Sequence, residues 1–266
     1  MSFNNNPSTA QKNDWKREQL ELRSKLIEID DLSFSKAIIE KNNKQKVEFD
    51  GLKYIGGVDI SFVENNNEDA VASLVVLEYP NLKVIYENFK MVKLKLPYIA
   101  GFLAFREVTP LLELLQNLQQ NNPNIFPQVV IVDGNGILHP RKFGLASHLG
   151  VLANVPTIGV GKNFLQIDDG DQLTMSYVKK AVKEKLNKGG DVYFLRGVSD
   201  TTYGAAVRSL ENTTNPIYVS IGHRICLETA IQLVIKCCRY RIPEPTRQAD
   251  VRSRKFVKNL MKYSYM

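Results

Sequence analysis

The chain has 266 residues, with 35 Lys and Arg against 28 Asp and Glu, a formal net charge of +7. Hydrophobic residues make up 44% and charged residues 24%, the proportions of a folded globular protein, which excludes a collagenous, disulfide-scaffold or wholly disordered chain. At this length the chain supports one large core or at most two, and the positive balance points to an anionic partner, nucleic acid or an acidic membrane face. Only three cysteines occur, Cys226, Cys237 and Cys238, without a CxxC pair, a poor basis for a disulfide framework or a cysteine zinc site. The N-terminal MSFNNNPSTAQKNDWKREQ lacks the apolar run of a secretory signal, and VASLVVL at 71–77 is far short of a membrane span. The expectation is a reduced, cytoplasmic or nuclear setting, the nucleolus included, with no membrane contact.

In chain order, residues 1–12 are polar and expected to be disordered, and 13–40 reads as helix. KNNKQK at 41–46 is a polar break. Three strand-like runs follow, 52–62, 70–79 and 82–94, joined by ENNNED and by a Tyr79-Pro80-Asn81 turn, an antiparallel meander. A helical run at 102–119 contains Pro110, so a kink or break is expected there. QVVIV at 128–132 is apolar on both faces, the pattern of a buried parallel strand. A glycine-rich loop, a short helix near 145–153 and a second short strand at 157–161 come next. A hairpin at 191–197 and 203–209, a strand at 217–221 and an apolar-striped helix at 226–240 complete the order. The result is α/β: a meander followed by parallel strands in one mixed sheet flanked by helices. One domain is expected over 13–250, with a basic tail at 251–266.

Three carboxylates stand in unusual places. Asp59 sits in GGVDISF, where alternation puts Gly57, Asp59 and Ser61 on one face and Val58, Ile60 and Phe62 on the other. A mid-strand carboxylate is costly to bury without a partner; the plainer reading is that it faces solvent. Asp133 ends the apolar run VVIVD, and the carboxyl ends of such strands are where α/β sheets bind ligands; the plainer reading is a turn-capping Asp. Glu107 shares a helix face with Leu103 and Leu111 and therefore wants a cation. A metal shared by Asp59, Glu107 and Asp133 satisfies all three, and oxygen-only ligands select Mg²⁺, with Mn²⁺ as substitute. Lys162 follows TIGVG on the strand beside Asp133; it is either a solvated lysine or one facing a phosphate. His139 and His223 lie next to turns and could be idle loop residues. The GNG at 134–136 lacks the spacing of a dinucleotide site, and Gly161-Lys162 lacks the rest of a phosphate-binding loop, so no nucleotide cofactor is expected.

GGVDISF, LPYIAGFLAFRE, VDGNGILHPRKFGLASHLGVL, TIGVGK, IYVSIGHR and RIPEPTRQAD, in this order over 56–250, resemble the endonuclease V family of inosine-directed nucleases, most closely its eukaryotic members. The resemblance implies an RNase H-like fold and metal-dependent hydrolysis of the second phosphodiester bond 3′ to inosine, leaving 3′-hydroxyl and 5′-phosphate ends. It implies Asp59, Glu107, Asp133 and Asp250 as metal ligands, and Lys162 and His223 as further catalytic residues. It implies a strand-separating wedge at Pro97, Tyr98, Ile99 and Ala100, where the family often has Pro in the fourth position. The base pocket it implies draws on Leu103, Gly134, Gly136, His139, Gly144, Gly159 and Gly161, and the nucleic-acid backbone contacts on Arg141, Lys142, Arg224, Arg252, Arg254 and Lys255. A paired metal centre suits phosphodiester hydrolysis, and a base read on its edge must leave the stack at a cost of a few kcal/mol.

Three readings follow: a nuclease for inosine-containing RNA that also cuts deoxyinosine strands, a repair nuclease acting chiefly on deaminated DNA, and a non-catalytic inosine or nucleic-acid binding module. A monomer is expected. Residues 239–266 carry a net +6 of the chain's +7, with Phe256, Tyr263 and Tyr265 interleaved, which suits single-strand stacking as well as a solvated tail.

Overall fold

The computed structural model describes residues 7–41, 44–64, 66 and 68–263. Helix α1 spans Thr9–Arg23, and the Ser8 side chain caps it by accepting a hydrogen bond from the Gln11 amide. The disorder expected for 1–12 therefore does not extend to Thr9, and residues 1–6 lie outside the described residues. The helix expected over 13–40 stops at Arg23. Residues beyond it form a hairpin instead, β1 (Ser35–Lys41) paired antiparallel with β2 (Lys44–Asp50). Tertiary packing overrides helical patterning here: Phe34 and Phe49 meet edge to face and are buried with Leu52 against the main core.

The meander forms as expected, with β3 (Tyr54–Phe62), β4 (Asp69–Glu78) and β5 (Lys83–Lys93) antiparallel. Helix α2 (Leu103–Asn121) runs through Pro110 without the break that residue could have caused, held by buried Leu111, Leu114, Leu115 and Leu118. Strand β6 (Val129–Asp133) lies parallel to β3. Helix α3 (Leu145–Ala153) leads into β7 (Thr157–Gly161), which lies parallel to β6. Helix α4 (Met175–Lys185) is an element the sequence pattern did not predict; Val178, Ala181 and Val182 are its buried positions in a lysine-rich helix. Strands β8 (Val192–Arg196) and β9 (Thr202–Val207) form the expected hairpin, and β10 (Ile217–His223) inserts between β9 and β7. The eight-stranded order is β5-β4-β3-β6-β7-β10-β9-β8.

Helices α2 and α3 cover one face of this sheet. Helix α5 (Leu227–Lys236) and helix α6 (Glu244–Tyr263) pack on the other. The tail expected at 251–266 is thus mostly helix. Ala249, Ser253 and Val257, spaced by four, are buried in α6, which crosses β3 and β4. Its position depends on a glycine: a Cβ at Gly57 would lie 2.1 Å from the Pro245 carbonyl oxygen, closer than any real contact. Gly57→Ala should push α6 off β3 and lower Tm by several degrees, since overpacking of this kind costs about 1–3 kcal/mol. An unchanged Tm in thermal denaturation would contradict this seating.

Candidate active site

The odd-numbered residues of β3 face α6, so Asp59 points into the interface between strand and helix and is only 7% exposed, not solvent-facing. Ser61 Oγ donates to Asp59 Oδ2 at 3.1 Å, and Ser61 and Ser253 hydroxyls meet at 2.7 Å, tying β3 to α6. Asp133, at the end of β6, has the same facing. Asp250 arrives from the first half of α6. Lys162, just past β7, donates from Nζ to Asp133 Oδ2 at 2.5 Å. These four side chains line one cleft of about 470 Å³ together with Ser61, Phe62, Glu64, Arg254 and Lys258.

Burial raises the Asp59 pKa well above its ordinary value, and the negative charges of Asp133 and Asp250 add to it; Lys162 opposes them. Burial disfavours the Lys162 ammonium, but Asp133, Asp59 and Asp250 outweigh it and hold that pKa above its ordinary value. Glu107 enters from α2, on the other face of the sheet. Burial raises its pKa to about 7, with Arg106 lowering it and Asp133 raising it. It borders a second cavity of about 460 Å³ that includes Phe62, Leu94, Pro97, Tyr98 and Arg106. A third, small cavity of about 80 Å³ is lined by Gln19, Tyr98, Gly101, Leu103, His139 and Gly144, among others. Phe62 is common to the first two cavities and Tyr98 to the last two, so the three adjoin in a row.

Among the described residues no three His, Cys, Asp or Glu side chains are gathered into a ready-made metal cage. The donor chemistry nevertheless fits a hard divalent cation: Asp59, Asp133 and Asp250 offer only oxygen, and the raised pKa of Asp59 shows a buried carboxylate short of neutralising charge.

The structure therefore brings together Asp59, Asp133, Lys162 and Asp250, sets Glu107 beside them, and places Pro97, Tyr98, Leu103, His139 and Gly144 on the adjoining cavities. It does not bring His223 to them. His223 pairs with Thr157 at the start of β7, whereas Lys162 follows the end of that strand. There it accepts from the Ile27 amide at 3.3 Å, and burial and Arg224 depress its pKa to about 4. Ile99 accepts the Phe102 amide in the turn after the wedge, and Ala100 is exposed. Gly134, Gly136, Gly159 and Gly161 do not line the small cavity. Gly136 and Gly159 instead let the 134–136 loop lie flat on the sheet, since a Cβ at Gly136 would sit 1.8 Å from the Ile221 carbonyl oxygen.

The expected backbone-binding cations are mostly engaged inside the protein. Arg141 bonds Gln19 and Gly101, Lys142 donates to Thr201, and Arg224 holds Asp31 and Asn154. Arg252 pairs with Glu87 and Arg254 with Asp250. Lys255 borders a groove with Glu87 and Phe89 on the far side of α6. Gln19, Asn135 and Lys258 are lining residues the sequence did not single out; polar side chains on a polar helix or loop carry no periodic signal that marks them.

Burial of Glu107 has a thermodynamic signature. An acid whose folded pKa is raised destabilises the fold only where the unfolded chain has lost its proton. The penalty is therefore absent below the ordinary value of 4.5, grows as pH rises, and levels off above 7. Glu107→Gln should raise the Tm of the metal-free protein at pH 8 by several degrees and leave it unchanged near pH 4. Equal shifts at both pH values would contradict the buried-charge assignment.

A match to the Endonuclease V family spans residues 33–251. Mouse endonuclease V is 49% identical over 247 residues, covering 93% of this chain and 70% of the mouse protein, and the human protein is 46% identical over 244 residues, covering 92% and 82%. The catalytic domain of human endonuclease V superposes with a TM-score of 0.86 at 44% identity, covering 96% of this chain and 99% of that one. An endonuclease V from Ciona intestinalis, in complex with a 23mer DNA containing an inosine followed by a ribo-adenosine, superposes with a TM-score of 0.85 at 39% identity, covering 96% and 100%. With the acidic cleft at the ends of β6 and β7 and a match over most of its length, this chain belongs to the endonuclease V family and is an endonuclease.

Proposed function

We propose that the chain is a divalent-metal-dependent nuclease that cuts inosine-containing RNA at the second phosphodiester bond 3′ to inosine, leaving 3′-hydroxyl and 5′-phosphate ends, and that it also cuts deoxyinosine strands. The observation that carries this is the row of three adjoining cavities: a small one beside Tyr98, a middle one at Glu107, and the carboxylate cleft with Lys162. A base held in the first places the phosphates that follow it along the row, so cleavage is displaced from the recognised base. The Ciona relative's bound strand, with a ribo-adenosine directly after its inosine, supports a site that accepts a 2′-hydroxyl there. That the strand is otherwise DNA supports the second substrate.

In this reading Tyr98, 66% exposed, fills by stacking the gap left by a base that leaves the helix. His139, Leu103 and Gly144 close round that base. A Mg²⁺ or Mn²⁺ ion held by Asp59, Asp133 and Asp250, with Glu107 nearby, would supply Lewis-acid stabilisation of phosphate charge and an activated water. Lys162 orients Asp133 through its hydrogen bond, and its ammonium faces the same cleft, where it offsets charge developing on the phosphate. Asp250 lines that cleft, and His223 does not.

Matched RNA and DNA oligonucleotides carrying one inosine or one adenosine, incubated with Mg²⁺ or with a chelator, test the proposal. Cutting is expected only with inosine and metal, and faster or equal on RNA; comparable cutting of adenosine strands would remove the base-specific reading. Asp59→Ala should abolish cleavage while strand binding changes less than about threefold, and surviving cleavage would sink the metal assignment. Lys258, exposed on α6 at the rim of the cleft, is expected to meet a phosphate. Lys258→Gln should make the log–log salt dependence of single-strand binding shallower by about 0.7. An unchanged slope places the strand elsewhere.

A further inference from the structure

The small cavity beside Tyr98 has a wall that comes from outside the segment matched to the family. Gln19, on α1, is 1% exposed and lines that cavity. Its amide nitrogen donates to the carbonyl oxygens of Gly101 at 3.3 Å and Phe143 at 3.1 Å, and its amide oxygen accepts from Arg141 Nε at 2.6 Å. One side chain thus joins the end of the Pro97–Ala100 turn to the loop that carries His139 and Gly144. Gly101, with φ +79, also receives Arg141 and His139 on the same carbonyl. Burial and Arg141 depress the His139 pKa to about 4, so the ring is neutral; Nε2 donates to Gly101, and Nδ1 accepts from the Arg141 amide at 3.1 Å. The Arg141 guanidinium lies 4.3 Å from the Phe102 ring centroid. One turn earlier in α1, Trp15 stacks on Phe105 with ring centroids 5.0 Å apart, fixing the helix that presents Gln19.

The bonding pattern demands an amide. Two carbonyl acceptors need the NH₂ group and a guanidinium needs the oxygen, so alanine leaves three buried or half-buried polar groups without this partner, and glutamate sets a carboxylate against two carbonyls.

We propose that Gln19 is the positioning residue of the base cavity: it clamps the wedge turn to the 139–144 loop, so that α1 is a working part of base recognition. This rests on the reading of that cavity as the inosine site. Binding of two otherwise identical RNA strands, one with inosine and one with an abasic position, is measured by fluorescence anisotropy with a chelator present to prevent cutting. The wild-type protein should prefer the inosine strand. Gln19→Ala and the isosteric Gln19→Glu should each weaken inosine-strand binding at least tenfold and change abasic-strand binding less than twofold. In Mg²⁺, KM should rise with kcat at saturation within about threefold. A folded variant that keeps the inosine preference, or that weakens both strands alike, overturns the clamp while leaving the cavity's assignment intact. No preference in the wild-type protein overturns that assignment and the clamp with it. Gln19→Glu keeps size and the Arg141 contact, so it serves where the alanine variant fails to fold.

Discussion

Like charges crowded at one edge of a sheet are the constraint on which this molecule turns. Asp59 is buried against Asp133 and Asp250, with the Lys162 ammonium among them. In isolation such a group opposes folding, because each carboxylate loses hydration and gains repulsion. The arrangement persists because four separate elements are fixed by apolar packing elsewhere: β3 and β6 by the core shared with α2 and α3, β7 by the core beneath α5, and α6 by Ala249 and Val257. Stability from those clusters holds the acids in place, and a cation that binds them recovers the electrostatic cost.

Helix α6 is central to this arrangement. Its seat on β3 is set by the flat backbone at Gly57 and by the Ser61–Ser253 hydroxyl pair, and the same seat brings Asp250 within the field of Asp59. The basic charge that dominates the C-terminal 28 residues is therefore mostly carried on a packed helix beside the acidic cleft, not on a free tail. Several of its arginines are spent on internal pairs with Glu244, Glu87 and Asp250. Lys255 and Lys258 remain exposed on either side of it, and only Lys258 borders the cleft.

Much of this was readable from residue pattern. The two-sided apolar run at 129–132 marks a central parallel strand because only a strand covered on both faces tolerates it, and period-two alternation correctly separates Asp59 from Val58. The carboxylates of β3 and β6 fall on one face for the same reason. What sequence could not convey is set by long-range geometry. His223 has the right residue type, but strand register places it at the start of β7. Hairpin β1–β2 replaces a predicted helix because Phe34 and Phe49 find the core. Gln19 is one polar residue among many on α1, and its burial follows only from where α2 and the 139–144 loop end.

Metal binding with proton counting reads out this crowding of carboxylates. Isothermal titration of the free protein with Mg²⁺ in buffers of differing ionisation enthalpy yields the protons released per ion bound. Glu107, with a pKa of about 7, retains part of its proton near neutral pH in the free protein, and a bound cation must expel it. Binding should be weaker and proton release greater at pH 6 than at pH 8, with the difference reduced in Glu107→Gln. Proton release that is the same at both pH values, or no binding at all, would contradict that expectation.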